Sequence, residues 1–131
     1  MTAAPRGEVR LDTHVVVWLF TGERSRLSAR AAELIEGHQL VISPMVQLEL
    51  TFLHEIGRLR VGGAEIVDDL EWRIGLRAST VTTSAVVAAA APLEWTRDPF
   101  DRFIAGDALA SASVLLSADR TMRDNLPLAT W

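Results

Sequence analysis

The chain predicts an α/β fold built on a parallel sheet, and three observations carry that prediction. Short apolar stretches at residues 9–11, 40–42 and 113–117 alternate with longer segments of helical character. Strands separated by helices are the pattern of βαβ units, with both sheet faces covered. Helix start and stop signals fall between the stretches, with capping residues before and Gly or Pro after. Acidic residues stand at the junctions where a strand hands over to a helix: Asp12, Glu49, Asp101 and Asp119. In an open α/β sheet, the junctions at the carboxyl ends of the strands share the crevice where ligands bind.

Taken in order, residues 9–11 form a short apolar strand that enters Asp12. Residues 13–20 follow as a helix, ended by Thr21-Gly22. Ser28 caps a helix through Glu36, with Gly37 as its stop. Residues 40–42 are a buried strand. Ser43-Pro44 supplies an N-cap and a proline at the first helical position, opening a helix to about Ile56 that Gly57 ends. Gly62-Gly63 separates it from a helix over 64–74. Residues 81–83 read as a strand and 84–91 as a close-packed, Ala-rich helix stopped by Pro92. Asp98 begins a helix to about Ser111. Residues 113–117 are a strand, 119–124 a short helix and 128–130 a final strand. No repeat, linker or low-complexity tract interrupts the series, so residues 1–131 read as one domain, with 1–7 as a flexible N-terminal extension.

At 131 residues the chain is long enough to bury a substantial core, and 49% apolar content is too high for a disordered chain. Cysteine is absent, which excludes disulfides and thiolate metal sites and fits a reducing cytoplasm. The N-terminus lacks the apolar core of a signal peptide, and no apolar run reaches membrane-spanning length. The expected location is therefore the cytoplasm. All 13 basic residues are Arg. Without Lys, the chain can build neither a phosphate-cradling P-loop nor a Schiff base. The net charge of −4 gives no global attraction for nucleic acid, so a polyanionic substrate must meet local arginines or a metal.

The acids carry the chemistry. Four carboxylates crowded into one crevice repel each other and raise each other's pKa, and a hard divalent cation with oxygen ligands removes that repulsion. Asp12 and Asp119 each follow an apolar strand and would also serve as helix N-caps. Glu49 shares its helical face with Met45, Phe52, Leu53 and Ile56, which predicts a carboxylate on a buried face, costly unless paired or metal-bound. Asp98-Pro99-Phe100-Asp101 has the shape of a capping box, with Asp98 as cap and Asp101 turned inward beside Ile104, Ala105 and Ala108. Asp98 and Asp107 are candidates for supporting the ligands from behind. His14, His38 and His54 have no metal-ligand spacing. Ser43 reads as a cap, and the four tryptophans read as core or interface residues.

Several blocks together resemble a known family. Leu11-Asp12-Thr13-His14-Val15-Val16-Val17-Trp18, Ser43 followed by Glu49, Gly57-Arg58-Leu59, Arg97-Asp98-Pro99-Phe100-Asp101-Arg102 and Leu115-Leu116-Ser117-Ala118-Asp119-Arg120 resemble PIN-domain proteins. Within that family the chain is most similar to the VapC-type toxins of bacterial toxin–antitoxin pairs. The resemblance covers nearly the whole chain and implies a three-layer α/β/α fold with a central parallel sheet. It implies that Asp12, Glu49, Asp101 and Asp119 form the catalytic site and that Mg²⁺ or Mn²⁺ assists cleavage of RNA phosphodiesters. A VapB-type antitoxin that blocks the site and a homodimer are implied as well. The chain departs from the family pattern at Leu48, where an aromatic is frequent, and at Gly106-Asp107, which adds a further acid.

Chemically, Asp12 and Asp101 are expected to hold the metal most directly, with Glu49 and Asp119 acting through water or a second ion. Arg97, Arg102 and Arg120 neighbour the acids in sequence and are candidates for gripping flanking phosphates. Two other readings stay open: a DNA-cleaving or structure-selective nuclease on the same fold, and an inactive PIN-like binding module, against which the retention of all four acids speaks.

Overall fold

The computed structural model describes residues 7–131; the expected N-terminal extension lies almost wholly outside them. The strands are β1 (Glu8–Leu11), β2 (Gln39–Ile42), β3 (Arg77–Ala78), β4 (Val114–Leu116) and β5 (Ala129–Thr130), and the helices are α1 (Thr13–Thr21), α2 (Ala29–Gly37), α3 (Pro44–Glu55), α4 (Gly63–Ile74), α5 (Thr83–Ala90), α6 (Pro99–Ser111) and α7 (Arg120–Asn125). A single 3₁₀ turn, Arg24–Arg26, links α1 to α2.

All strand pairs are parallel, and the sheet order is β3-β2-β1-β4-β5. The chain winds outward from β1 through β2 to β3, then returns to the other side of β1 with β4 and β5. The reversal falls between β1 and β4, and a crevice opens at such a switch point. The register there pairs Val9 with Val114 and Leu11 with Leu116. Asp12 therefore leaves β1 level with Ser117, which leaves β4.

The core gathers Val9, Leu11, Leu40, Ile42, Leu115 and Leu116 of the strands with Val15, Val46, Leu50, Ile66, Leu70, Ile104 and Ala108 of the helices. Each fully buried Leu or Ile contributes about 1.5–3 kcal/mol. Local chemistry sets the helix starts. Asp12, Ser28, Ser43, Thr82, Asp98 and Asp119 each accept a backbone N–H from the first turn that follows. Gly57, at φ +82, lets the chain turn back after α3, and Arg58 N–H then closes the end on the Leu53 carbonyl at 2.9 Å.

Three expectations change and a fourth narrows. Residues 81–83 are not a strand: β3 lies earlier, at Arg77–Ala78, where it pairs with Val41 and Ile42, and Thr82 instead caps α5. Gly37 is the last residue of α2 rather than a left-handed stop. The side of α3 that carries Glu49 is not core, because Phe52 and Ile56 are 45% and 50% exposed while Val46 and Leu50 are fully buried. Of the two places expected for the tryptophans, core or interface, Trp72 is not in the core, at 90% exposure.

Gly106 has a packing reason. A Cβ there would lie 2.8 Å from Ala90 Cβ and 2.8 Å from the Val86 carbonyl oxygen, so α5 and α6 approach closely only because the side chain is missing. Among the described residues no helix is long and apolar enough to cross a membrane.

Candidate active site

A crevice of about 410 Å³ opens at the switch point, lined by Asp12, Glu49, Asp98, Asp101 and Asp119 together with His14, Trp18 and Arg58. The sheet brings Asp12 and Asp119 to adjacent strand ends, while α3 and α6 bring Glu49, Asp98 and Asp101 across from them. All four acids expected to be catalytic thus share one space, although 107 positions separate the first from the last.

Asp12 is the most firmly held. It is 4% exposed; its Oδ1 accepts the Thr13 N–H at 2.9 Å and its Oδ2 accepts the Ser117 hydroxyl at 2.6 Å. The second bond spans the switch point from β4 to β1. Glu49 accepts the Thr13 hydroxyl, so Thr13 links the acid of α3 to the start of α1. Asp98 gives Oδ1 to the Phe100 N–H at 2.8 Å, and Asp119 gives Oδ1 to the Thr121 N–H at 2.8 Å. Each keeps a second carboxylate oxygen for the crevice.

The expected capping box is only half formed. The Asp98 N–H donates to Thr96 Oγ1 at 3.2 Å instead of to Asp101. Asp101 is thereby released from capping, and its carboxylate makes no hydrogen bond among the described residues.

Electrostatics follow from this crowding. Burial raises the Asp101 pKa most, and the charges of Asp98, Asp12, Glu49 and Asp119 raise it further, from the ordinary 3.8 to about 7. Burial also raises Glu49; the Thr13 hydrogen bond partly offsets this, and the charges of Asp12 and Asp98 add to the rise.

The donors fit a hard divalent cation, since they are carboxylate oxygens under mutual repulsion. Among the described residues, no three acidic or histidine side chains form a closed ligand set. Asp98, Asp119 and Glu49 each have one carboxylate oxygen held by an N–H or O–H donor, and Asp12 has both. Mg²⁺ keeps several waters and needs few direct carboxylates, so an open arrangement suits it better than a cage.

Other expected residues lie outside the crevice. Asp107 does not line it: the carboxylate is buried against the Arg10 guanidinium, behind the crevice. None of the three arginines singled out by sequence lines the crevice. Arg102 donates to the Ala91 carbonyl at 2.8 Å, Arg120 sits 3.8 Å from Asp124 on an exposed surface, and Arg97 is exposed. The arginine at the crevice is Arg58, turned there by Gly57.

His14 was also missed. Its Nε2 accepts the Ala118 N–H at 2.8 Å, which leaves the proton of the neutral ring on Nδ1, 3.8 Å from Asp12 Oδ2. Trp18 and Trp131 pack around it at centroid distances of 5.0 and 6.4 Å. The pairing of β1 with β4 creates this contact, and only the position of His14 two residues after Asp12 hinted at it.

Comparison with known proteins gives a consistent result. The PIN domain family model matches residues 9–125. The chain is 31% identical over 132 aligned residues to Ribonuclease VapC22 of Mycobacterium tuberculosis, covering 94% of this chain and 98% of that one. Two solved structures share the fold. VapBC2 of Rickettsia felis bound to a promoter DNA fragment matches with TM-score 0.65 and 17% identity, covering 93% of this chain and 95% of that one. VapBC-1 of nontypeable Haemophilus influenzae matches with TM-score 0.57 and 15% identity, covering 95% and 96%.

Proposed function

The chain belongs to the PIN-domain family, and from that premise we propose that it is a VapC-type ribonuclease toxin that cleaves RNA phosphodiesters with the help of Mg²⁺ or Mn²⁺. The observation that carries the reading is the convergence of Asp12, Glu49, Asp98, Asp101 and Asp119 on one crevice at the β1–β4 switch point. A bound divalent cation would supply positive charge for the phosphoryl oxygens and a water of lowered pKa.

The protein's own part is positioning and proton handling. Asp12, held by Thr13 and Ser117, and Asp101, without a hydrogen-bond partner among the described residues, are the groups that would hold the ion. Glu49 is aimed by Thr13 and Asp119 by its cap, so both face the same space in fixed orientations. Arg58 offers a guanidinium to a phosphate beside the acids. The apolar side of the crevice, with Val17, Trp18 and Leu59, limits water around the reacting groups.

The relative's name supports RNA over DNA as substrate, and cleavage tested on RNA and DNA of one sequence separates the two. Wild type is expected to cut RNA with Mg²⁺ and to stop with EDTA. Asp12→Asn is expected to lower the rate at least about a hundredfold while melting as a folded protein, on the scale of losing one preorganised group. Near-normal cleavage by that variant would sink the site assignment.

A VapB-type antitoxin is the proposed partner, supported by the VapBC neighbours. A segment led by Arg would neutralise the crevice as a cation does. Co-expression of the adjacent small gene should relieve growth arrest, and failure of every neighbour to do so counts against it. Leu48, Phe52 and Ile56 leave an apolar strip, 45–56% exposed, along α3, which supports the expected homodimer; sedimentation of the purified chain as a monomer would remove that expectation.

A further inference from the structure

Two residues before Asp12 on β1, a buried charged group lies outside the crevice. Arg10 is 4% exposed and Asp107 on α6 is 1% exposed. Arg10 Nε donates to Asp107 Oδ1. Its Nη1 donates to Ser113 Oγ at 2.9 Å and to Glu8 Oε2 at 3.1 Å, and its Nη2 donates to Ser79 Oγ at 3.2 Å. One side chain thus ties the sheet's central strand to α6, to the entry of β4 and to the segment after β3.

Stability alone does not account for such a group. Desolvating an arginine and a carboxylate cancels most of their attraction, and a well-packed apolar pair commonly serves a core as well or better. Among the described residues the Oδ2 of Asp107 is buried with no hydrogen-bond partner, a further cost. In some proteins a buried polar or charged pair fixes one register among several that apolar packing would accept.

The geometry gives that register a use. Residues two apart on a strand project from the same face, and Asp12 keeps extended backbone angles, so Arg10 and Asp12 both face α6. Asp107 follows Asp101 by six residues on α6. The pair therefore sits about 7 Å behind Asp12 along the strand and about 9 Å behind Asp101 along the helix. At the same level Gly106 holds α6 tight against α5. A slip of α6 along β1 would carry Asp101 away from Asp12 by the same amount, and a functional constellation tolerates only about 0.5 Å.

We propose that the Arg10–Asp107 pair is a positioning clamp that sets α6 against β1 so that the carboxylates of Asp12 and Asp101 meet one divalent ion. The inference rests on the metal-dependent reading of the crevice. Arg10 and Asp107 touch neither substrate nor ion; they act through the acids.

The test uses the full chain, wild type beside the double variant Arg10→Met/Asp107→Leu. Mn²⁺ binding is followed by calorimetric titration and by the thermal shift it produces, alongside RNA cleavage. The expected result is a double variant that melts at or above the wild-type temperature but needs about 10–100 times more Mn²⁺ for half-saturation, the range seen when groups supporting metal ligands are removed. A folded double variant with the wild-type Mn²⁺ midpoint overturns the clamp and leaves the crevice reading intact. A wild type that does not bind Mn²⁺ overturns both. If the double variant fails to fold, Arg10→Met alone, which removes every donor of the clamp, is read against the same outcomes.

Discussion

Replacing Asp101 by Asn removes the charge on which the repulsion of the crevice converges, and the consequence has a definite sign. The metal-free folded protein raises the Asp101 pKa to about 7, chiefly by burial and then by the charges of Asp98, Asp12, Glu49 and Asp119. In the unfolded chain the group returns to 3.8. The folded state therefore binds this proton more tightly than the unfolded state. Its contribution to stability is fully present below about pH 3.8 and is lost as the pH rises through about 7. Glu49, also raised, adds to the loss in the same direction.

At full weight the rise corresponds to about 4 kcal/mol, and partial exposure of the carboxylate screens it to about 2 kcal/mol. In EDTA at pH 8, Asp101→Asn is expected to be more stable than wild type by that amount, a rise in Tm of roughly 6–10 °C for a domain of this size. At pH 5 the advantage should shrink. With Mn²⁺ at about 100 times its Kd, wild type should gain about 2.7 kcal/mol. The gain should be larger at pH 8 than at pH 5, since the ligands must be deprotonated. The variant should gain little. Thermal melts followed by circular dichroism, at both pH values with EDTA and with Mn²⁺, check all of this. A variant no more stable than wild type at pH 8 in EDTA, or one that responds equally to Mn²⁺, would refute the electrostatic argument.

Two further outcomes follow from neighbouring residues. Asp98→Asn should leave stability within about 0.5 kcal/mol, because Asn caps helices as well as Asp. It should lower the Asp101 pKa by removing the largest charge acting on it and reduce RNA cleavage less than Asp101→Asn does; a pH–stability profile and cleavage rates measure both. Gly106→Ala should destabilise by about 1–3 kcal/mol through overpacking against Ala90 and the Val86 carbonyl, as urea unfolding would reveal; a neutral result would mean that α5 and α6 separate without cost.

Much of the fold was legible because its signals are short-range. A cap, a proline at the first helical turn or a glycine at a helix end acts within a few residues, so the starts at Ser28, Ser43 and Asp98 could be read directly. The β-branched run at 81–83 misled because strand preference depends on what a segment pairs with, and β2 pairs with Arg77–Ala78 instead. The buried face predicted around Glu49 failed because the rotation of α3 is set by its packing on Val46 and Leu50, not by its own periodicity alone.

For the site, the sequence by itself marked acids that line the crevice, but its junction argument holds only for Asp12 and Asp119, which follow β1 and β4. Glu49 lies within α3, and Asp101 lies in α6, which follows α5 with no strand between. The sequence could not determine the partners of these acids. Ser117 with Asp12, Thr13 with Glu49 and Ala118 with His14 are contacts across 36 to 105 positions. Arg58 enters the crevice and Arg97, Arg102 and Arg120 do not, because nearness in sequence says nothing about the direction in which a loop turns. Asp107, read as a candidate for supporting the ligands from behind, has Arg10 as its buried partner, 97 positions away. Only the tertiary structure decided these, because such contacts depend on the register between elements, and register is set by the packing of the whole core.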